Sequence, residues 1–221
     1  MPHNGVLSNA SQKPTAMKVS LTDAGKRFNR DWIFRHLTYE FSAGQSYAIV
    51  GPNGSGKSTL LQVLSGSMQI NEGKAEWTID NKQLPNDNVY NKISICAPYL
   101  EVVEEMTLIE FLNFHSGFKP FLSSVTSEKI ISILGLENAV NKQIRNYSSG
   151  MKQRVKLAQS IFSDVPVVLL DEPCTNLDST GIQLYHSLIN EYCKNRMVVV
   201  SSNDEVEYSF CKEKISLTAY K

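Results

Sequence analysis

Residues 47–59 read Tyr47-Ala48-Ile49-Val50-Gly51-Pro52-Asn53-Gly54-Ser55-Gly56-Lys57-Ser58-Thr59, and this stretch decides the fold. A short apolar strand runs directly into a glycine-rich loop, and a helical pattern follows over 58–65. The loop satisfies GxxxxGK[ST], with Gly51, Gly56, Lys57 and Ser58 at the fixed positions. A phosphate chain needs several backbone N–H groups pointing inward together. Glycine permits both the required backbone angles and the close approach. The helix behind the loop aims the positive end of its dipole at the same spot. Lys57 supplies a point charge for the outer phosphates, and the Ser58 hydroxyl can ligate Mg2+. The whole loop, with Pro52, Asn53, Gly54, Ser55 and Thr59, is therefore expected to cradle a nucleotide. A chance glycine turn is the plain alternative, and the flanking strand and helix argue against it.

Downstream, residues 167–173 read Val167-Val168-Leu169-Leu170-Asp171-Glu172-Pro173. The run is apolar enough for a strand buried on both faces. It ends in two carboxylates, where ligands bind in parallel α/β sheets. Asp171 is expected around the metal, and Glu172 to orient and deprotonate an attacking water. Taken alone, this could be a solvated acidic turn; after a phosphate loop the catalytic reading is the stronger one.

Elsewhere the chain reads as strands and helices in alternation. Strand-like patterns start at Met17, with turn signals at 23–25 and 29–31, and resume over 32–41 and through a β-rich stretch at 73–95. From about 98 to 163 the pattern turns helical: Leu108, Phe111 and Leu112 share a face, as do Ile130, Ile133 and Leu134, and Met151, Val155, Ala158 and Phe162. A helix over 181–193 and a buried strand over 197–200 follow. The sum is an α/β chain with a helical insertion. Residues 1–16, rich in Ser, Asn and Pro, read as a flexible lead-in, with 17–221 as one domain.

Composition narrows the class. The chain has 221 residues with 22 basic against 22 acidic, so no cationic surplus points to nucleic acid. Cys96, Cys174, Cys193 and Cys211 lack the CxxC spacing of a zinc site and read as ordinary reduced thiols. No run approaches the ~18 apolar residues of a membrane span.

Between the two phosphate signals lies Tyr147-Ser148-Ser149-Gly150-Met151-Lys152-Gln153-Arg154. It resembles the LSGGQ signature of ABC ATPases, with Ser149 and Gly150 at its Ser-Gly positions. Thr175-Asn176-Leu177-Asp178 is similar to that family's D-loop, with Asp178 at the acidic place. Phe28 resembles the aromatic that stacks on adenine, with Trp32 the other candidate. The resemblance covers essentially 17–204. It implies a P-loop NTPase (RecA-like) core with a mixed sheet, an antiparallel β subdomain and an inserted helical subdomain at about 98–163. It also implies ATP and Mg2+ as ligands. ATP would be sandwiched between the loop of one cassette and Ser149–Gly150 of another, in a homodimer or a heterodimer with a second cassette.

Two positions depart from the family pattern. Tyr99 stands where a glutamine is expected, and Asn203 where a histidine is expected. Asparagine can hydrogen-bond a phosphate oxygen but carries no proton near neutral pH, so Asn203 joins Glu172 and Lys57 as a catalytic candidate with slower turnover implied. The leading function is the ATPase subunit of a transporter, exporter-type, peripheral on the cytoplasmic face of a membrane and paired with a separate membrane permease. A non-transport or degenerate cassette that binds ATP for assembly or regulation is the alternative. The segment 99–106, with Glu101, Glu104 and Glu105 around Val102 and Val103, is expected to be exposed and to meet the membrane partner.

Overall fold

The computed structural model describes residues 16–221, so all but the last residue of the expected lead-in lies outside the described residues. The chain opens with an antiparallel pair, β1 (Met17–Phe28) and β2 (Asp31–Ser42), turning at Asn29 with φ 53°. The turn signal at 23–25 does not end β1. The pairing register slips between Leu21 and Ala24 and again before Lys26, with Asp23 at φ 49°. These are bulges, which absorb extra residues and bend the strand while pairing continues.

Next come β3 (Ser46–Val50), α1 (Lys57–Leu64), β4 (Glu72–Ile79) and β5 (Lys82–Gln83). Asp80 and Asn81 join the last two with positive φ at both positions, the twist a tight hairpin needs. A helical turn, α2 (Asn86–Val89), then interrupts the expected β-rich stretch before β6 (Ile93–Cys96). Three helices follow: α3 (Leu108–Phe118), α4 (Ser127–Leu134) and α5 (Ser149–Ile161). Local capping fixes their starts. Thr107 and Glu110 form a reciprocal capping box, and Thr126 and Ser148 accept from backbone N–H groups one turn on. The chain closes with β7 (Val167–Asp171), α6 (Ser179–Tyr192), β8 (Met197–Ser201), α7 (Glu205–Tyr208) and β9 (Glu213–Ser216).

The strands form two sheets: β2-β1-β4-β5, antiparallel, and β6-β7-β8-β3-β9, in which every pairing is parallel. The mixed α/β fold thus keeps its two strand directions in separate sheets. The parallel sheet also divides two cores. Val168, Leu170, Val198 and Val200 face the helical region, α5 and α6. Val167, Leu169, Met197 and Val199 face α1 and the antiparallel sheet. Burial on both faces explains the unbroken apolar runs of β7 and β8. Among the described residues no helix is long and apolar enough to cross a membrane.

Candidate nucleotide-binding site

The strand order brings three distant segments together. In register, Ser201 of β8 lies beside Ile49 of β3 on one side and Asp171 of β7 on the other. The phosphate loop, the acid pair and Asn203 therefore leave the sheet at one carboxyl edge.

The loop is built for an anion. Gly51, Gly54 and Gly56 have φ of 155°, 76° and 101°. A Cβ on Gly56 would strike Ile33, and one on Gly51 would sit 2.7 Å from Ser55 Oγ, so the cradle tolerates no side chain there. Gly56 begins α1 without a side-chain cap, which leaves first-turn N–H groups for a phosphate. Lys57 is 6% exposed, and its ammonium donates to Gly51 O (2.9 Å) and Pro52 O (3.3 Å). A cleft of about 280 Å³ is lined by Asn53, Gly54, Gly56, Lys57, Ser58 and Glu172.

Asp171 is 3% exposed, and its Oδ1 has no hydrogen-bond partner. A buried carboxylate oxygen without a donor is costly unless a cation meets it. A carboxylate oxygen and a hydroxyl such as that of Ser58 are both hard donors of the kind Mg2+ takes. Glu172 adopts φ 45°, a left-handed conformation costing ~1–3 kcal/mol in a residue with a side chain. Its N–H donates to Ser201 O at 2.9 Å, which holds it there. Asn203 is exposed, and its Nδ2 donates to Asn53 Oδ1 at 2.7 Å. Glu172, Asn53 and Asn203 share a second cleft of about 430 Å³ with Cys174 and Glu207.

Ser149, Gly150 and Asp178 lie elsewhere. They line a separate cleft of about 400 Å³ with Arg154 and Asn176, and no residue of the 51–59 loop borders it. Ser148 caps α5, leaving the Ser149 side chain exposed at the first helical position. Asp178 caps α6, accepting from Gly181 N at 2.7 Å, with Arg154 Nη2 at 3.6 Å. Gln153 carries the signature helix back to the acid strand: its Nε2 donates to Pro173 O at 2.7 Å.

Phe28 does not border the loop cleft; it stands at the end of β1 with its ring 46% exposed and Lys26 Nζ 5.2 Å away. Trp32 is already engaged, lying against Gly25 with the guanidinium groups of Arg35 (4.5 Å) and Arg27 (5.5 Å) over its ring. The residue that does reach the loop is Ile33, which no motif marked because it reads as one more apolar strand position. The segment 99–106 differs from expectation. Val102 is 6% exposed and belongs to the helical core, and the Glu104 carboxylate accepts from Lys152 Nζ at 2.7 Å. Tyr99 (48%), Leu100 (37%) and Val103 (38%) are the exposed apolar side chains. A partly apolar sequence of this kind cannot say which of two adjacent valines turns inward.

The ABC transporter family model matches residues 34–175. YybJ of Bacillus subtilis, an uncharacterised ABC transporter ATP-binding protein, is 29% identical over 196 residues, 87% of this chain and 89% of its own. The cytochrome c biogenesis ATP-binding export protein CcmA of Haemophilus influenzae is 28% identical over 210 residues, covering 92% and 97%. In fold, an ABC transporter ATP-binding protein from Pyrococcus furiosus gives a TM-score of 0.76 at 22% identity, over 92% of this chain and 99% of that one. A dimeric ATP-binding cassette in a post-hydrolysis state with ADP and Pi gives 0.75 at 24% identity, over 90% and 93%. A family match spanning most of a chain with this fold shows that the protein belongs to the ABC transporter family, as an ATP-binding and ATP-hydrolysing cassette of a transport system.

Proposed function

We propose that two copies of this chain close on ATP and drive a separate membrane-spanning subunit from the cytoplasmic face. The observation that carries this reading is the separation of two anion-ready clefts within one chain. One holds the 51–59 loop, and the other holds Ser149 and Gly150. Each is half a site, and an isologous two-fold dimer joins the half of one chain to the complementary half of the other.

In this arrangement the loop N–H groups and Lys57 bind the phosphates. Ser58 and Asp171 hold Mg2+, which when bound neutralises charge on the outer phosphates. Glu172 takes the proton of the attacking water. The Asn203 amide donates to a γ-phosphate oxygen, exchanging its bond to Asn53 for one to the ligand. Ser149, Gly150 and Asp178 of the second copy close over the phosphate from the far side. Phe28, beyond the loop cleft and partly exposed, stacks on the base.

Glu172→Gln tests the reading, because it spares binding and blocks proton removal. Light scattering of this variant with Mg-ATP should show a dimer that dissolves when nucleotide is removed. Lys57→Ala should weaken ATP binding in a calorimetric titration by about 10- to 100-fold, the worth of a charge-assisted hydrogen bond. A strictly monomeric Glu172→Gln variant at saturating ATP, or unchanged affinity in Lys57→Ala, contradicts it.

A further inference from the structure

Glu207 is a carboxylate that no motif accounts for. It lies on the short helix α7, 5% exposed, at the wall of the cleft that also holds Glu172 and Asn203. Three segments meet on it. Its Oε1 accepts the Cys174 N–H at 2.6 Å, two residues past Glu172. Its backbone N–H donates to Asp204 O at 3.1 Å, next to Asn203. Its backbone carbonyl accepts the Tyr185 hydroxyl of α6 at 2.7 Å, and Tyr185 is fully buried.

Burying a carboxylate is costly, and a structure that does so without a cation gets something else in return. Burial pushes the Glu207 carboxyl up, the Ser202 hydroxyl and the Cys174 N–H draw it down, and Asp204 and Glu172 add to the rise. The Glu172 backbone is held in its left-handed conformation by Ser201 O on the N-terminal side. On the other side Pro173 has no N–H to offer, so the next donor that can be fixed is Cys174. The turn carrying Glu172 is closed by Thr175 N–H donating to Glu172 O at 3.2 Å and held to α5 by Gln153 Nε2 on Pro173 O, and the bond from Cys174 N–H to Glu207 is the brace that fastens it to α7. Because α7 begins beside Asn203, the same brace ties that turn to the segment that rests on the phosphate loop.

We infer that Glu207 is a positioning residue for hydrolysis, its side chain fixing the Glu172 turn relative to Asn203 through the Cys174 N–H. This rests on Glu172 being the residue that activates water. A brace depends on reach and on an acceptor oxygen, not on charge. Glutamine has both, while aspartate keeps the charge and is one methylene short.

The test measures kcat and KM for ATP in Glu207→Asp, Glu207→Gln and Glu207→Ala, with Glu172→Gln alongside and melting temperatures for all. The expected result is a kcat about 10-fold or more below the parent in Glu207→Asp and Glu207→Ala, with KM within about twofold. Glu207→Gln should retain most of the parent kcat. If Glu207→Ala does not fold, the Asp and Gln pair carries the comparison. An aspartate variant at the parental rate, a glutamine variant as slow as the aspartate one, or a loss confined to KM overturns the inference. If Glu172→Gln still hydrolyses ATP, the assignment of the water-activating residue itself falls. If it is inactive while Glu207→Asp runs at the parental rate, only the role of Glu207 falls.

Discussion

The side-chain amide of Asn203 donates to Asn53 Oδ1 at 2.7 Å, so the segment that follows β8 is fastened directly to the phosphate loop. An amide in this place can donate to a phosphate oxygen but cannot titrate. Asn203→Ala should lower kcat by about 10- to 100-fold, the worth of a hydrogen bond to a charged group, with little change in KM. Asn203→His should add a step near the ordinary histidine range, about pH 6.5, to a kcat profile that lacks one in the parent. Steady-state rates across that range check both. An Ala variant with parental kcat removes Asn203 from the chemistry.

Asp171 separates metal binding from stability. Its buried Oδ1 has no donor, so neutralising it should leave the nucleotide-free protein at least as stable. Asp171→Asn is expected to keep the parental melting temperature alone but to lose the extra stabilisation that Mg2+ adds to ATP. Ligand at 100 times Kd stabilises by about 2.7 kcal/mol in the parent. Thermal melts with ATP, in Mg2+ or EDTA, measure this, and a variant with an undiminished Mg2+ response contradicts the assignment.

Gly150 has room for no side chain, since its Cβ would stand 2.9 Å from Asn176 O in the cleft assigned to the opposing phosphate. Placed in the Glu172→Gln background, Gly150→Val should abolish the ATP-dependent dimer and leave monomer binding of ATP intact. Light scattering beside calorimetry distinguishes the two. A dimer that survives the substitution means this cleft is not part of the composite site.

Val102 and Val103 should behave oppositely. Val102 is core, so Val102→Asp buries an unpaired charge and should cost several kcal/mol, visible as a large fall in melting temperature. Val103→Asp stands on the surface and should shift stability by no more than about 0.5 kcal/mol. It should still weaken co-purification with the membrane subunit, because the exposed apolar group of Tyr99, Leu100 and Val103 is the surface we assign to docking. Undiminished assembly of a stable Val103→Asp variant would put the docking surface elsewhere.

His115 predicts an acid-sensitive helical region. Its ring stacks between Phe111 and Phe121, and burial, with Lys119 adding to it, lowers its pKa from 6.5 to about 4. The unfolded chain therefore takes up the proton first as pH falls. The stability tied to the neutral ring is complete above 6.5 and is lost progressively toward 4. Chemical denaturation at pH 7 and pH 5 should show a smaller loss in His115→Gln than in the parent. Equal losses would assign the acid sensitivity to other groups.

The sequence alone determined the chemistry of single segments, because phosphate binding there depends on local backbone geometry. Gly51, Gly56, Lys57 and Ser58 are adjacent in the chain, and a loop that must present N–H groups needs those residue types wherever it sits. The apolar run before Asp171 likewise announced a strand covered on both faces. What only the tertiary structure decided is what depends on register and on the sheet's strand order. Ser201 between Ile49 and Asp171, Asn203 against Asn53, and Glu207 against Cys174 join residues far apart in the chain. Ile33 meets Gly56 for the same reason, and nothing in its own neighbourhood marks it. The choice of Val102 over Val103 for the core, and the bulges that carry β1 through its turn signal, were settled by packing and cross-strand pairing, which act between segments and leave no local pattern.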